Sequence, residues 1–551
     1  MRRNITIALS VLMVFTFIFV AMQGMAIGAE EDRLVREVSL ITRPKASSPD
    51  EFETITILAE AMEKVGIRAT VEVMPWEQMA DVVWYDREAW DLTGWQMTAR
   101  PERLDPDEFT YNLFHSSTAE TGYNFIGYKN PEYDRVAEEQ RVTVDKEKRR
   151  ELIYKSQEII AEDVGYIFSV NPLVNIVYNN EVFAADSIKE MAGLGIKNFW
   201  TYINAEPISE QQDFILNSND TVQAINPLYI SGSVDSWITE LVWDRVMRMG
   251  QDGLPTPWAA ESVEWLDNTT VEVVMRDDMT WHDGKPVTVE DVKFSFEVPK
   301  TGEAPMYKPF VDIIDEIEIT GESTLVFNLK EPWAAFETAS LAKLNIIPKH
   351  IWEPIIEDLK DKPENAESYQ ADVPIGSGPF KFSNWKFSEE VVLEANEDHF
   401  QAPKVNHWIA RFIPNMEATL GMIQNGELNF LATYLGDNQL LQQRVEESPH
   451  LTMVSSIDLG FRFLAPNHRV KPFSDKAFRR AVASLADREL FAGLVWKGFA
   501  VPSSSVISPA LEYWHNPDVN YPEAGIMEAR KTLEEAGYEW DSQGRLLYPA
   551  E

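Results

Sequence analysis

Apolar positions at Phe52, Ile55, Ala59, Met62 and Val65 recur at the spacing of one helix face. Gly66 ends the run, and Ala69-Thr70-Val71-Glu72-Val73 then alternates with the period of a strand. A helix, a glycine and a strand in succession are the signature of an α/β layer. A second helix, rich in both charges, is predicted over about 145–162, and a β-rich stretch over 166–202. From Asp213 onward the texture becomes short strands divided by turns: Glu261 to Trp265, Val271 to Met275, Asp315 to Ile319 and Thr324 to Leu329. Helical spacing returns over Asp475 to Ala486 and over Glu523 to Ala536, just before Gly537. No short-period repeat, low-complexity tract or Gly/Ser linker divides the chain, so its domains are expected to be interleaved by several crossings and not strung on a tether.

Length and charge narrow the classes. A chain of 551 residues exceeds one ordinary domain and predicts two or three. With 89 Asp and Glu against 49 Lys and Arg, the formal charge is −40, a field that works against binding nucleic acid or an anionic membrane surface. The absence of cysteine excludes disulfides, thiolate metal sites and a lipidated Cys. Arg2 and Arg3, the apolar run from Ile5 to Met22, and the small residues of Met25-Ala26-Ile27-Gly28-Ala29 read as a cleaved signal peptide over 1–29, hence a secreted or periplasmic protein. An uncleaved N-terminal membrane anchor is the alternative, because that run approaches the ~20 residues that span a bilayer.

Catalytic and metal chemistry find little support. Eight histidines are scattered without a His-x-x-x-His spacing, so no metal cage and no cofactor are expected. Trp281-His282-Asp283-Gly284 pairs a histidine with an acid, but Asp283-Gly284 reads better as a turn leading to Thr288, the N-cap of a helix from Val289, with Thr288-x-x-Asp291 as a capping box. Gly376-Ser377-Gly378-Pro379 lacks the Lys-Ser/Thr of a phosphate loop and reads as a tight turn into a strand from Phe380. There is no Gly-x-Ser-x-Gly elbow, and no carboxylate pair stands out as acid and base.

Longer motifs fall into one cyclic order. Ile225-Asn226-Pro227-Leu228 and Trp258-Ala259-Ala260-Glu261-Ser262 precede the run from Arg276 to Val292 that contains Trp-His-Asp-Gly. Ile347-Pro348-Lys349-His350-Ile351-Trp352, Gly376 to Lys381, Pro472-Phe473-Ser474-Asp475, Arg479-Arg480-Ala481 and Ala486-Asp487-Arg488 follow, and then Ala529-Arg530-Lys531 through Glu535-Ala536-Gly537-Tyr538. Near the start lie Val38-Ser39-Leu40-Ile41, Lys64-Val65-Gly66-Ile67, Gly94-Trp95, Asp105-Pro106 and Gly127-Tyr128-Lys129-Asn130-Pro131. This set resembles the family 5 extracellular solute-binding proteins, the dipeptide, oligopeptide and nickel receptors of ABC importers. In that family, however, the Trp-His-Asp-Gly segment comes early and the Gly-Trp segment late. The resemblance therefore implies a circularly permuted receptor, or else one receptor's tail fused to a neighbour's head; exposed termini lying close together tolerate permutation.

The implied fold is α/β, a two-lobed periplasmic-binding-protein-like fold of class II with an extra domain. Mapped onto this chain, the ligand-closing lobe would be 31–170 together with 465–551. The main lobe would be 171–464, with the extra domain at about 250–365 and the old family termini joined near Ile208 to Gln212. No chemistry is implied, only capture of a peptide-like solute by a monomer and delivery to ABC permease subunits. An oligosaccharide receptor of the same family is the near alternative, and an extracellular hydrolase the distant one. In the peptide-binding branch, an acid three residues after Gly-Trp holds the ligand's α-amino group; here Gly94-Trp95 leads to Thr98, which cannot neutralise an ammonium. The candidate ligand-binding residues are accordingly Trp95, Thr98, Arg100, Glu102, Asp105 and Arg462. Glu102 or Asp105 would stand in for the acid, unless Asp105 only caps the helix opening at Pro106. Arg462 would face a ligand carboxylate or pair with one of the chain's many acids. Tryptophans at 76, 84, 90 and 95 offer flat faces to a sugar or an aromatic side chain.

Overall fold

A computed structural model describes residues 31–98, 103–360, 362 and 364–550. The leader read over 1–29 lies outside the described residues, as do Arg100 and Glu102. The first α/β layer forms as the pattern predicts. The strand Val38–Thr42 runs into the helix Pro49–Lys64, which buries Ile55, Leu58, Ala59 and Met62, and Ala69–Val73 returns parallel to the first strand. The helix starts with Pro49 in its first turn, followed by Asp50 and Glu51. These suit the exposed N–H groups and positive end of a helix.

Five strands make the first sheet, in the order Ala69–Val73, Val38–Thr42, Leu92–Met97, Phe461–Pro466 and Ile167–Phe168. A strand from residue 461 onward thus sits between strands that end before residue 170. Apart from Met191, the core of this lobe correspondingly draws on residues between Val35 and Val170 and again between Leu459 and Leu546. The second, larger sheet runs Phe380–Lys386, Glu390–Ala395, His407–Phe412, Phe214–Ser218, Phe430–Leu431, Val170–Asn179 and Leu451–Ile457. Its core is drawn from residues between Ile176 and Ala432. Sharing that core is a four-stranded antiparallel sheet of Ile314–Ile319, Thr324–Leu329, Thr270–Met275 and Ala260–Trp265. Buried and half-buried positions alternate along Thr270–Met275 and Thr324–Leu329, the pattern of a sheet with one face packed.

The chain passes between the two lobes twice among the described residues. It goes from Ile167–Phe168 into Val170–Asn179 through Ser169, and returns from Leu451–Ile457 to Phe461–Pro466 through Asp458, Leu459 and Gly460. The two passages are laced together: the Ser169 N–H donates to the Arg462 carbonyl at 3.0 Å and the Asp458 N–H to the Pro172 carbonyl at 2.8 Å. Ala500–Pro502 adds a short third tie by pairing with Val170–Pro172.

One local reading changes and another holds. The stretch 166–202 is β only in its first part, to Asn179; it then folds into turns and the helix Phe199–Asn204, because Asn198 accepts the Thr201 N–H and caps a turn whose Phe199, Tyr202 and Ile203 reach the core. Trp281-His282-Asp283-Gly284 is a turn, with Gly284 at φ 86°, followed by Thr288 and Asp291 closing a capping box on the helix Val289–Glu297. His282 does not face Asp283. It holds the Gly376-Ser377-Gly378 loop through the Gly378 carbonyl (3.0 Å) and the Gly376 N–H (3.2 Å), while Asp283 meets His350 at 2.8 Å. That loop is glycine-rich for packing: a Cβ on Gly376 would come within 1.8 Å of the Val242 carbonyl oxygen.

Candidate functional site

A pocket opens where the two passages meet the first sheet. Gly94, Trp95 and Gln96 lie antiparallel to Leu464, Phe463 and Arg462, so Trp95 and Arg462 sit on adjacent strands, and both line the pocket. Arg43, Asp50, Glu51, Ser169 and Trp496 complete the lining that matters, around a small space open to solvent. Its position, at the carboxyl ends of the parallel strands Val38–Thr42 and Leu92–Met97, is where open α/β sheets bind their ligands.

Each charged group here has its own setting. Glu51 lies over Gly94, whose missing side chain makes the room: a Cβ there would stand 2.5 Å from the Glu51 Cγ. Arg43 clamps that carboxylate, with its backbone N–H at 2.8 Å and its guanidinium at 2.6 and 3.0 Å. Asp50, one residue earlier, has no hydrogen-bond or ion-pair partner among the described residues. Arg462 also has no hydrogen bond from its guanidinium and no carboxylate in ion-pair range among the described residues; it lies over the Trp496 ring at 5.4 Å. Burial pulls its pKa below the ordinary arginine value, and Asp458, Asp50 and Glu51 oppose that shift from a distance without reversing it. Ser169 is 2 % exposed, and its hydroxyl has no hydrogen-bond partner among the described residues.

Beside the pocket stands an aromatic wall. Trp95 lies 5.1 Å from Trp76, 5.0 Å from Phe125 and stacked 6.2 Å from Trp84, and Tyr123 meets Trp84 edge-on at 5.3 Å. Trp76 and Tyr123 remain exposed, whereas Trp90 is buried in the core. At the mouth, next to Trp496, Lys497 of the first lobe bridges to Asp437 of the second at 2.7 Å.

Of the six residues singled out in the sequence, the fold brings Trp95 and Arg462 together. Thr98 falls beyond the strand end, exposed, where its carbonyl and hydroxyl accept from Arg103 at 2.6 and 3.2 Å; it does not line the pocket. Asp105 is buried in a two-pronged ion pair with Arg149, at 2.6 and 3.0 Å, and also accepts the Asp107 N–H at 2.9 Å. Its carboxylate is thus spent inside the lobe and is not offered to a ligand. The expectation that Arg462 pairs with one of many acids is also corrected, because the nearest acids remain beyond contact. Sequence reasoning missed Arg43, Asp50, Glu51, Ser169 and Trp496. The available signal was Pro49-Asp50-Glu51 opening the helix that follows the first strand, at a sheet edge that binds ligands as a rule.

Among the described residues no group of three or more His, Asp or Glu is placed to hold a metal, and no helix is long and apolar enough to cross a membrane. The family model described as bacterial extracellular solute-binding proteins, family 5 Middle, matches residues 255–550. The oligopeptide-binding protein AppA of Bacillus subtilis is 28% identical over 342 residues, 60% of each chain. A putative ABC transporter peptide-binding protein of Brucella ovis is 26% identical over 270 residues, 47% of each chain. The matches therefore span between about half and 60% of these relatives' lengths. Among solved structures, AppA in complex with a nonapeptide aligns at 26% identity and a TM-score of 0.46, over 62% of this chain and 68% of that one.

Proposed function

The chain belongs to the family 5 bacterial extracellular solute-binding proteins, and from that premise we propose that it is the receptor of an ABC importer, capturing a peptide-like solute between its lobes and passing it unchanged to membrane permease subunits. The observation that carries this reading is the pocket at the lobe crossing, lined by Arg462, Asp50 and Ser169, whose guanidinium, carboxylate and hydroxyl have no hydrogen-bond or ion-pair partner among the described residues. The two passages at Ser169 and at Asp458 to Gly460 are where bending would close the lobes. In this reading the closing lobe, expected over 31–170 with 465–551, also takes in Phe461 to Leu464, because the strand Phe461–Pro466 lies in the first sheet and packs into its core, so the main lobe expected over 171–464 ends at the crossing near Asp458. Export by the 1–29 leader and a monomeric state belong to the same proposal.

A second reading, an oligosaccharide as the solute, is favoured by the exposed faces of Trp76 and Tyr123 beside Trp95. Thermal melting against separate panels of short peptides and of oligosaccharides distinguishes them, since a solute that binds only the native state raises its midpoint. A rise with peptides alone supports the first reading and a rise with sugars alone the second; no rise with either removes both.

We also propose that the order of segments reflects circular permutation. Supporting it, the Val35 N–H donates to the Leu546 carbonyl at 2.9 Å and the Tyr548 N–H to the Arg33 carbonyl at 2.7 Å. Gly66, at φ 83°, admits the Gly544 carbonyl where a Cβ would stand 2.2 Å from it. The Trp540 indole donates to the Val65 carbonyl at 2.7 Å. Helix, turn and strand elements from the two ends of the sequence thus pack as neighbours within one lobe.

A further inference from the structure

We propose, on the reading that the lobes bend about the two passages, that the extra domain carries a latch for their closure: the turn from Trp333 to Glu337 grips the first lobe at Arg141, Lys146 and Arg149, and it parts and re-forms together with the Lys497–Asp437 bridge. The turn belongs to the second lobe, because Phe336 packs against Phe327 of the four-stranded sheet at 5.7 Å and against Trp265 at 6.2 Å. What it grips belongs to the first lobe, on the helices Pro131–Val142 and Lys146–Asp163, whose Val136, Ala137 and Ile153 lie in the other core. These contacts therefore join the lobes away from the passages, and a rotation about the passages breaks them.

The Ala334 N–H donates to the Arg141 carbonyl at 2.7 Å, and the Ala334 carbonyl accepts from Arg149 at 3.4 Å. Beside them the Lys146 ammonium meets the Glu337 carboxylate at 3.2 Å. Both sides are set in advance. Asp105 and Gln140 hold the Arg149 guanidinium, whose Nη1 is shared between Asp105 and Ala334. The Trp265 indole donates to one Glu337 oxygen at 2.7 Å, and the other oxygen meets Lys146. Groups already ordered lose little freedom when they meet, so the contact retains most of its attraction. The bridge at the mouth is built alike: Asp437 accepts the Gln439 N–H at 2.8 Å as N-cap of the helix Asn438–Glu446 and offers its other oxygen to Lys497. In each pair the lysine comes from the first lobe and the acid from the second.

Hydrogen exchange of the Ala334 amide in the solute-free full chain, read by mass spectrometry with residue-level fragmentation, tests the latch, because that N–H is sealed only while the lobes are shut. The amide is expected to be protected in the unaltered chain and in Lys146→Arg. In Lys146→Glu, which sets a second carboxylate against Glu337, it should exchange at least about threefold faster. Lys497→Glu, whose own bridge lies at the mouth on Asp437, should speed Ala334 exchange as well, since both contacts part in one motion. If either reversal also speeds exchange in the inner strand Val38–Thr42, a sign of general unfolding, Lys146→Ala and Lys497→Ala take its place with the same expected direction. An unprotected Ala334 amide, a Lys146→Glu rate equal to that of the unaltered chain, or a Lys497→Glu variant that leaves Ala334 exchange unchanged would each overturn the latch. No solute enters the measurement, so such a result leaves the receptor reading standing, to be decided by the melting panels.

Discussion

Among the acids and arginines of the first lobe, two combinations behave oppositely. Asp105 and Arg149 touch through two short hydrogen bonds, both buried, and although burial alone would lower the Arg149 pKa, Asp105 outweighs it and the net shift is upward. Asp50 and Arg462 face one pocket without touching, and there burial wins and the Arg462 pKa falls. The residue types are the same; contact is the difference. A charge that has found its partner holds the lobe together, and a charge left waiting beside a cavity marks where something else is to bind.

The largest expected effect breaks the first pair. Arg149→Met leaves Asp105 buried without its cation and should cost about 3–5 kcal/mol, measured by urea unfolding, while Arg462→Gln should stay within about 1 kcal/mol of the unaltered chain because it removes only the approach to the Trp496 ring and no hydrogen bond or ion pair among the described residues. A reversed ranking would erase the distinction between the pairs.

Two glycines extend it to backbone and side chain. Gly376→Ala drives a Cβ onto the Val242 carbonyl oxygen, which has no flexible end to swing away, and should cost about 1–3 kcal/mol. Gly94→Ala meets the flexible Glu51 side chain instead; it should cost less in stability but push Glu51 off Arg43 and weaken solute binding.

Acidification probes groups that are buried and neutral. The His282 pKa is pushed down to about 4 by burial, against 6.5 for a free histidine. His468 is also lowered, by burial and the nearby Arg479. The unfolded chain therefore takes up these protons first, so the stability present above about pH 6.5 is lost as pH falls toward 4. Between pH 7 and 5 the His282 share should be about 1–2 kcal/mol, seen as a fall in melting midpoint that shrinks in His282→Gln.

The smallest effect is expected from moving the ends. Joining Tyr548 to Arg33 through a short linker and opening the chain between Ile208 and Gln212 should change stability by no more than about 1 kcal/mol, because both sites are turns and the strands they connect already pack. Failure of this variant to fold as a monomer would argue against permutation.

Much of the frame was legible in the sequence because it rests on periodicity. The Phe52 to Val65 spacing became the helix Pro49–Lys64, Ala69–Val73 emerged with the bounds its alternation predicts, and Thr288 with Asp291 closed the expected capping box. The site was harder. Trp95 and Arg462 were found through motif position, but Asp105 was overrated and Asp50 missed, because whether a carboxylate is matched depends on Arg149 and Arg462, each far away along the chain. The 166–202 stretch was misread for a related reason: after Asn179 its apolar residues serve turns and a short helix, which period alone does not distinguish from strands.

Small-angle X-ray scattering of the full chain, with and without the peptide panel that raises its melting midpoint, tests the central claim most directly. The account predicts a smaller radius of gyration when the solute is bound, as the lobes bend together about Ser169 and Asp458 to Gly460. An unchanged radius under saturating solute would contradict it.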